Sequence, residues 1–251
     1  MRKHDQGSDD QQVPNYDGEF VAALFDRMGP TYDLMNIVSS FGFSRLWRIQ
    51  CVRNAVIRPG DVVYDFMSGA GECMRDIRRV QRSGRLVSLD FCPYMVERQR
   101  KKVSLRAGAG FELRQENALA CGLPDGDADA LVAAFAIKTL SPEQRRAFAR
   151  EINRLLKPGG RFSLIEISSP PSRFLRAPFM FYIRKIIPVI GRLLVGDPDC
   201  YRMLGVYTVA FGDCASCIEA FRAAGLKVRM KRHFFGCATS LVGIKPIDTH
   251  A

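Results

Sequence analysis

No stretch of about 18 uninterrupted apolar residues occurs in the 251-residue sequence, so no segment reads as a membrane-spanning helix. The opening MRKHDQGSDDQQVPNYDGE is polar and lacks the apolar stretch of a secretory signal, and residues 1–18 read as a disordered tail. The eight cysteines, Cys51, Cys73, Cys92, Cys121, Cys200, Cys214, Cys217 and Cys237, have none of the regular spacing of a disulfide framework. A reduced cytoplasm is the expected compartment. Cys214 and Cys217 form a lone CxxC, but no second pair and no His pair stands at zinc spacing, so no metal is expected. Acidic residues are the minority, 26 against 37 Lys and Arg, giving a net charge of +11. That excess favours phosphate-bearing partners (nucleic acid, anionic lipid headgroups or a diphosphate substrate) without choosing among them. There is no internal repeat.

What is present is an ordinary globular balance, 47% hydrophobic and 25% charged, at a length that one large core can serve. From Asp61 on, short apolar runs alternate with helical patterns, the sequence form of βαβ units and a mostly parallel sheet. Strands are expected at Asp61–Phe66, Arg85–Phe91, Phe111–Asn117, Asp129–Phe135 and Arg161–Ile167. Ser141-Pro142-Glu143 reads as an N-cap followed by Pro at the first helical position, with the helix running to Leu156 and Pro158-Gly159-Gly160 ending it. A helix near Ala215–Ala224, a Gly225 stop and two strands near Leu226–Arg232 and Ala238–Ile244 close a seven-stranded, doubly wound α/β sheet with helices on both faces. Residues 19–251 thus read as one domain, in which 19–57 form an N-terminal helical cap across the carboxyl edge of the sheet and 172–212 form an insertion.

In open α/β sheets ligands bind outside the carboxyl ends of the strands. The first such end reads Asp65-Phe66-Met67-Ser68-Gly69-Ala70-Gly71-Glu72. Two glycines spaced by one residue permit a tight turn and close approach of backbone to a ligand, and the helix after them offers its N-terminal N–H groups to a carboxylate. The second strand ends at Asp90-Phe91, where a carboxylate can accept both hydroxyls of a ribose. The third ends at Asn117, which can pair with an adenine edge as donor and acceptor. The same features serve both a nicotinamide dinucleotide and S-adenosylmethionine. The third fingerprint glycine is missing, since Gly71 is followed by Glu72, Cys73 and Met74, and this disfavours the dinucleotide.

The chain also resembles the ubiquinone/menaquinone biosynthesis C-methyltransferase family. The resemblance is carried by Phe25-Asp26-Arg27, Tyr32-Asp33-Leu34-Met35-Asn36, Ser40-Phe41-Gly42-Phe43-Ser44-Arg45-Leu46-Trp47, Asp90, Asn117-Ala118, Leu155-Leu156-Lys157-Pro158-Gly159-Gly160 and Asp197 to Leu204. It implies a class I, Rossmann-like methyltransferase fold and transfer of a methyl group from S-adenosylmethionine to a ring carbon of a lipophilic prenylated phenol or quinol. Carried over by position, the cofactor contacts would be Ala70, Asp90, Asn117 with Ala118, and Ala134, to which the residues' own pattern adds Asp65, Ser68, Gly69, Gly71 and Phe91. The family has Thr where Ala70 stands, Ser where Ala134 stands and a glycine where Ser68 stands. In Phe135-Ala136-Ile137-Lys138-Thr139-Leu140 the substrate-facing Arg-Asn of the family is replaced by Lys138-Thr139, keeping a cation but losing the bidentate fork and the amide.

Methyl transfer from a sulfonium is an in-line displacement, requiring alignment, exclusion of water and an electron-rich acceptor. Deprotonating a phenol enriches its ring; for an alkene acceptor, an aromatic-lined pocket shelters a carbocation. Tyr32, Lys138, Tyr201, Arg202 and Tyr207 are the candidate substrate-side residues, while His233, in the closing hairpin, reads as structural. The segment Ser172–Val195 is a basic amphipathic stretch in which Arg173, Arg176, Arg184, Lys185 and Arg192 interrupt apolar runs. It suits a cover for a greasy pocket or contact with a membrane surface. A prenyl diphosphate acceptor would also find partners in those arginines and Lys138. Two rival readings stand beside this one. A nucleic-acid methyltransferase is suggested by the charge and by Ser169-Pro170-Pro171-Ser172, but that segment follows the fifth strand instead of the fourth and no aromatic residue ends it. A non-catalytic cofactor-binding homologue is suggested by Ser68, Ala134, Lys138 and Thr139.

Overall fold

The computed structural model of the chain describes residues 13–28, 40–103, 110–195 and 198–247. Seven strands form one sheet in the order β3-β2-β1-β4-β5-β7-β6. They are β1 (Val63–Phe66), β2 (Leu86–Asp90), β3 (Phe111–Gln115), β4 (Ala128–Ala134), β5 (Leu156–Ile167), β6 (Lys227–His233) and β7 (Ala238–Ile244). The first five run parallel, and β7 is inserted antiparallel between β5 and β6. Strands β1 and β2 are buried along their whole length, as parallel strands covered on both faces must be.

Side-chain alternation divides the core between the two faces. Tyr64 and Phe66 of β1 and Leu131 and Ala133 of β4 pack with Phe148, Ile152 and Leu155 of one helix, α5 (Pro142–Leu155), and Phe221 of another, α9 (Ile218–Ala223). Val63, Ala130 and Val132 pack on the other face with Cys51 and Val52 of α2 (Phe43–Asn54), Ala55 just after it, and Ile77 of α3 (Met74–Gln81). Helix α4 (Pro93–Val103) follows β2.

The expected N-terminal cap divides in two. Helix α2 lies against a face of the sheet and not across its edge, because its buried stripe includes Cys51, whose thiol donates to the carbonyls of Ala133 and Ser163. Helix α1 (Gly18–Met28) is the part that covers the carboxyl ends: Phe25 packs beside Ala70 and Cys92, and the Cys92 thiol donates to Asp26 at 3.0 Å. The tail expected over 1–18 is anchored from Asn15 on, since the Tyr207 hydroxyl donates to the Asn15 carbonyl, Gln144 donates to the Tyr16 carbonyl and the rings of Tyr16 and Tyr207 lie 5.8 Å apart.

Ser141 caps α5 as expected, its hydroxyl accepting from the Gln144 backbone while the Gln144 side chain accepts from the Ser141 N–H. Pro158-Gly159-Gly160 does not end that helix. The helix stops at Leu155, β5 begins at once with Leu156 opposite Ala128, and the Pro-Gly-Gly segment forms a bulge before pairing resumes at Ala130 and Arg161. A Cβ on Gly160 would lie 2.8 Å from the Lys157 carbonyl, so the bulge requires glycine there.

The insertion folds as a lid. It comprises α6 (Arg173–Phe181), a π-helical turn (Tyr182–Ile186) and α7 (Ile187–Val195), followed by α8 (Pro198–Phe211), which packs Tyr201 and Tyr207 against Val21, Leu24 and Met28 of α1. The π turn lies just before Pro188, whose missing N–H leaves the helical ladder one donor short. Among the described residues no single helix is long and apolar enough to cross a membrane.

Candidate functional site

Strand order reverses between β1 and β4, and the carboxyl ends of the strands at such a switch point are where an open α/β sheet binds its ligand. Asp65, Ser68, Gly69, Ala70, Gly71, Asp90, Phe91, Asn117, Ala118 and Ala134 all stand at these strand ends or in the turns leaving them. Gly69 and Gly71 have φ of +56° and +78°, and a Cβ on Gly71 would come to 3.0 Å from the Gln99 side chain, so any other residue there would strain the loop and press on Gln99. Ser68 ties the loop to α4 by donating its hydroxyl to Gln99 Oε1 at 2.9 Å. Asp90 ties it to β2: one carboxylate oxygen accepts from the Gly69 N–H at 2.8 Å and the other from the Cys92 N–H at 2.9 Å.

Three carboxylates, Asp65, Glu72 and Asp90, crowd this turn. Burial, then the neighbouring charges of Glu72 and Asp90, hold the Asp65 carboxyl well above the usual range, with Arg48 opposing. Burial likewise pushes Asp90 up to about 6 against the backbone hydrogen bonds that lower it. Asp65 Oδ2 is buried and has no hydrogen-bond partner among the described residues. A cationic ligand fits such a place, because it supplies the donor and the positive charge that the crowded acids lack. The residues therefore suit S-adenosylmethionine, which carries an ammonium and a sulfonium.

Four of the expected cofactor residues have local packing or hydrogen bonds that limit what they can offer a ligand. Asn117 Oδ1 accepts from the Leu119 N–H at 2.9 Å in an Asx turn, which occupies one of its two lone pairs and leaves the other and the Nδ2 donors for a ligand. The Ala70 and Ala118 side chains are buried in packing, and Phe91 packs toward α1, so these positions can offer backbone but little side chain.

A second space adjoins the end of β4. It is a cavity of about 350 Å³ walled by Phe43 and Trp47 of α2, Phe135 after β4, and Leu175, Phe179 and Ile183 of the lid. The three lid residues recur at i+4 and so form one line on the inner face of the helix. Phe135 adopts φ +63°, a conformation that bulky side chains rarely take, and its ring lies 6.4 Å from Trp47 and 5.0 Å under the Arg48 guanidinium. Beside Ser40, Ser44 and Tyr182, the wall holds one charged side chain among the described residues, Lys138, whose ammonium donates to Glu166 Oε1 at 2.6 Å, both side chains being essentially buried. Glu166 also accepts from the backbone N–H groups of Lys138 and Ile167, so its carboxylate is held at three points.

Of the candidate substrate-side residues, Lys138 lines this cavity and Tyr32 lies outside the described residues. The others are corrected by the structure. Tyr201 and Tyr207 are buried between α1 and α8, and burial pushes the Tyr207 hydroxyl up to about 12, which unfits it as a base. Arg202 is exposed on α8 and does not line the cavity, to which that helix contributes Leu204. His233 pairs with the Ser240 hydroxyl at 2.8 Å, and burial together with Lys231 lowers its pKa, in keeping with a structural role. The diphosphate partners expected in the lid arginines are not gathered around Lys138: Arg176 donates to the Pro170 and Pro171 carbonyls, and Arg173 and Arg192 are exposed. Cys214 is buried with its thiol on the Thr239 carbonyl, Cys217 is buried beside it, and no cluster of metal-binding residues occurs among the described residues. Glu166 was not anticipated. Its signal was present as the one acid within the apolar strand RFSLIEI.

Comparison with known proteins agrees with this geometry. The family model described as the ubiE/COQ5 methyltransferase family matches residues 10–245. A demethylmenaquinone methyltransferase of Thermus thermophilus is 30% identical over 225 residues, covering 89% of this chain and 100% of that protein. A ubiquinone/menaquinone biosynthesis C-methyltransferase UbiE of Hydrogenovibrio crunogenus is 32% identical, covering 73% of this chain and 72% of that protein. Among solved structures, a SAM-dependent methyltransferase from Aquifex aeolicus superposes with a TM-score of 0.56 at 17% identity, covering 79% of this chain and 89% of that one.

Proposed function

The chain belongs to the ubiE/COQ5 methyltransferase family and is an S-adenosylmethionine-dependent methyltransferase, and from that premise we propose that its acceptor is a ring carbon of a lipophilic phenol or quinol. The observation carrying this reading is the aromatic cavity with one buried ion pair beside the cofactor cleft.

In this reading Asp65 and Glu72 draw the cationic parts of the cofactor, Asp90 accepts from its ribose, the glycine turn of Ser68, Gly69, Ala70 and Gly71 approaches it with backbone, and Asn117, Ala118 and Ala134 line the remaining strand ends. When bound, S-adenosylmethionine supplies an electrophilic methyl group. Phe43, Trp47, Phe135 and Phe179 keep water from the acceptor ring, which matters because water competes for every charge in the site. Lys138 spends one of its three N–H donors on Glu166 and has two for an acceptor hydroxyl. An ammonium at that oxygen stabilises the phenolate, and the ring carbon beside it becomes the nucleophile. Glu166 is a positioning residue: it fixes the ammonium and compensates a charge that would otherwise be costly to bury.

The same apolar walls argue against a nucleic-acid acceptor, and Pro170-Pro171 packs against the β6–β7 turn at Gly236 instead of facing the cavity. The decisive experiment is incubation with methyl-labelled S-adenosylmethionine and a panel of prenylated hydroquinones, followed by mass spectrometry. Label on a ring carbon is the expected result; intact cofactor binding with no label on any phenol or quinol would leave the non-catalytic reading in possession.

A further inference from the structure

Six phenylalanines are exposed among the described residues: Phe20, Phe41, Phe174, Phe181, Phe234 and Phe235. All but Phe20 stand on three segments that contribute residues to the cavity wall: the turn before α2, the lid and the β6–β7 turn. Phe174 is 94% exposed, Phe41 79% and Phe235 77%, so most of each ring is left to solvent.

These residues form one rim. Phe41 meets Tyr182 of the lid at 5.7 Å, Phe43 meets Phe234 at 4.5 Å, and Phe234 meets Phe235 at 5.6 Å. Gly236 abuts Pro171, which sets the β6–β7 turn beside the N-terminal end of the lid where Phe174 projects. Phe41, Phe234 and Phe235 have φ of 49°, 42° and 55°, so the backbone adopts an unfavourable conformation at three rim residues. Along the lid the exposed face continues through Phe181, Val189 and Leu193.

The segments that carry the rim are basic along the sequence, and the acid set against them is Asp213, which shares a groove with Arg173 and Arg176. Residues 167–195 contain Arg173, Arg176, Arg184, Lys185 and Arg192 and no acid, Arg45 and Arg48 stand in the first half of α2, and Arg232 precedes the β6–β7 turn. Aromatic side chains ringed by cations are the chemistry of an interfacial segment on an anionic bilayer, with rings at headgroup depth and cations against phosphate.

We propose that this rim docks the protein on the surface of an anionic phospholipid membrane, with the cavity mouth turned toward the lipid. A lipophilic acceptor would then enter from the bilayer without crossing water, a consequence that rests on the acceptor reading above. Docking itself does not depend on that reading, and vesicle binding is measured without turnover, so the two fail separately.

The test is sedimentation with vesicles of phosphatidylcholine alone and with about 30% phosphatidylglycerol, at low and high salt. Binding is expected to the anionic vesicles and to fall with salt. The triple variant Phe174→Ser, Phe181→Ser, Phe235→Asn should weaken it about tenfold or more while leaving cofactor affinity intact, because none of the three lines the cavity. Arg173→Glu with Arg192→Glu should abolish the preference for anionic vesicles. Failure of the unaltered protein to bind, or equal binding by the triple variant, overturns the proposal. So does concentration-dependent dimerisation that the triple variant removes in the absence of vesicle binding, which would assign the rim to a second copy of the chain.

Discussion

Asp90 faces two demands, since it closes the glycine turn and must also accept from a ribose. Its carboxyl, pushed up to about 6 from 3.8, holds a proton in the folded chain at pH values where the unfolded chain has released it. Its contribution to stability is therefore present below the ordinary value and declines as pH rises through that window. Cofactor hydroxyls donate to the ionised form, so affinity should fall as pH drops below about 6, a trend that calorimetry across about pH 5 to 8 would reveal. Asp90→Asn should flatten this dependence and weaken binding by roughly ten- to a hundredfold per lost charged hydrogen bond. Lys138 and Glu166 obey a different logic. Glu166→Gln leaves an uncompensated buried ammonium and should cost about 3–5 kcal/mol in thermal unfolding. Adding Lys138→Met should restore most of that stability and none of the turnover, which a purely structural pair would not require. The location of Lys138 near a substrate could be read from its place after the fourth strand, but its partner could not, because 28 positions of chain separate them and only pairing of β4 with β5 brings them together.

At the level of elements, strands and caps were legible where local chemistry dominates. The strands β1 to β4 lie within a residue or two of their expected bounds: β1, β2 and β4 are short, largely apolar runs between turns, and the half-buried β3, FELRQ, alternates apolar and polar residues. Ser141 announced α5, and Ser141→Ala should cost about 1 kcal/mol in denaturant titration. Pro158-Gly159-Gly160 was misread as a helix stop because bulge and stop use the same residues. What distinguishes them is pairing: the Gly159 N–H donates to Lys245, and the Lys245 N–H donates to Gly160, a partner far along the chain. Gly71 is the element-scale test of the cleft. Gly71→Ala combines positive φ with contact at 3.0 Å to Gln99, so it should displace the turn, lower cofactor affinity in calorimetry and destabilise the fold by about 1–3 kcal/mol.

For the whole molecule, ligand linkage joins cleft and stability. With S-adenosylmethionine at a hundred times its dissociation constant, unfolding free energy should rise by about 2.7 kcal/mol. For a chain of this length that is a melting shift of roughly 5–10 °C, readable by differential scanning fluorimetry, and Asp90→Ala should erase it. The net charge of +11 left several partners open when read from composition. In the structure much of it gathers on elements that also carry exposed phenylalanines, a juxtaposition that favours lipid headgroups over the other phosphate-bearing partners.

The sequence by itself determined the alternation of strand and helix, the glycine turn and the strand-end acids, because these depend on burial periodicity and backbone permissiveness within a few residues. It also implied that the acceptor is lipophilic, through composition of the lid and resemblance of its motifs. Only the tertiary structure decided which tyrosines pack and which positions wall a cavity, that α2 lies flat on the sheet while α1 covers its edge, and that Lys138 is neutralised by Glu166. Those outcomes depend on contacts between segments distant in the chain, where many pairings satisfy the same local pattern and the packing of the whole selects one.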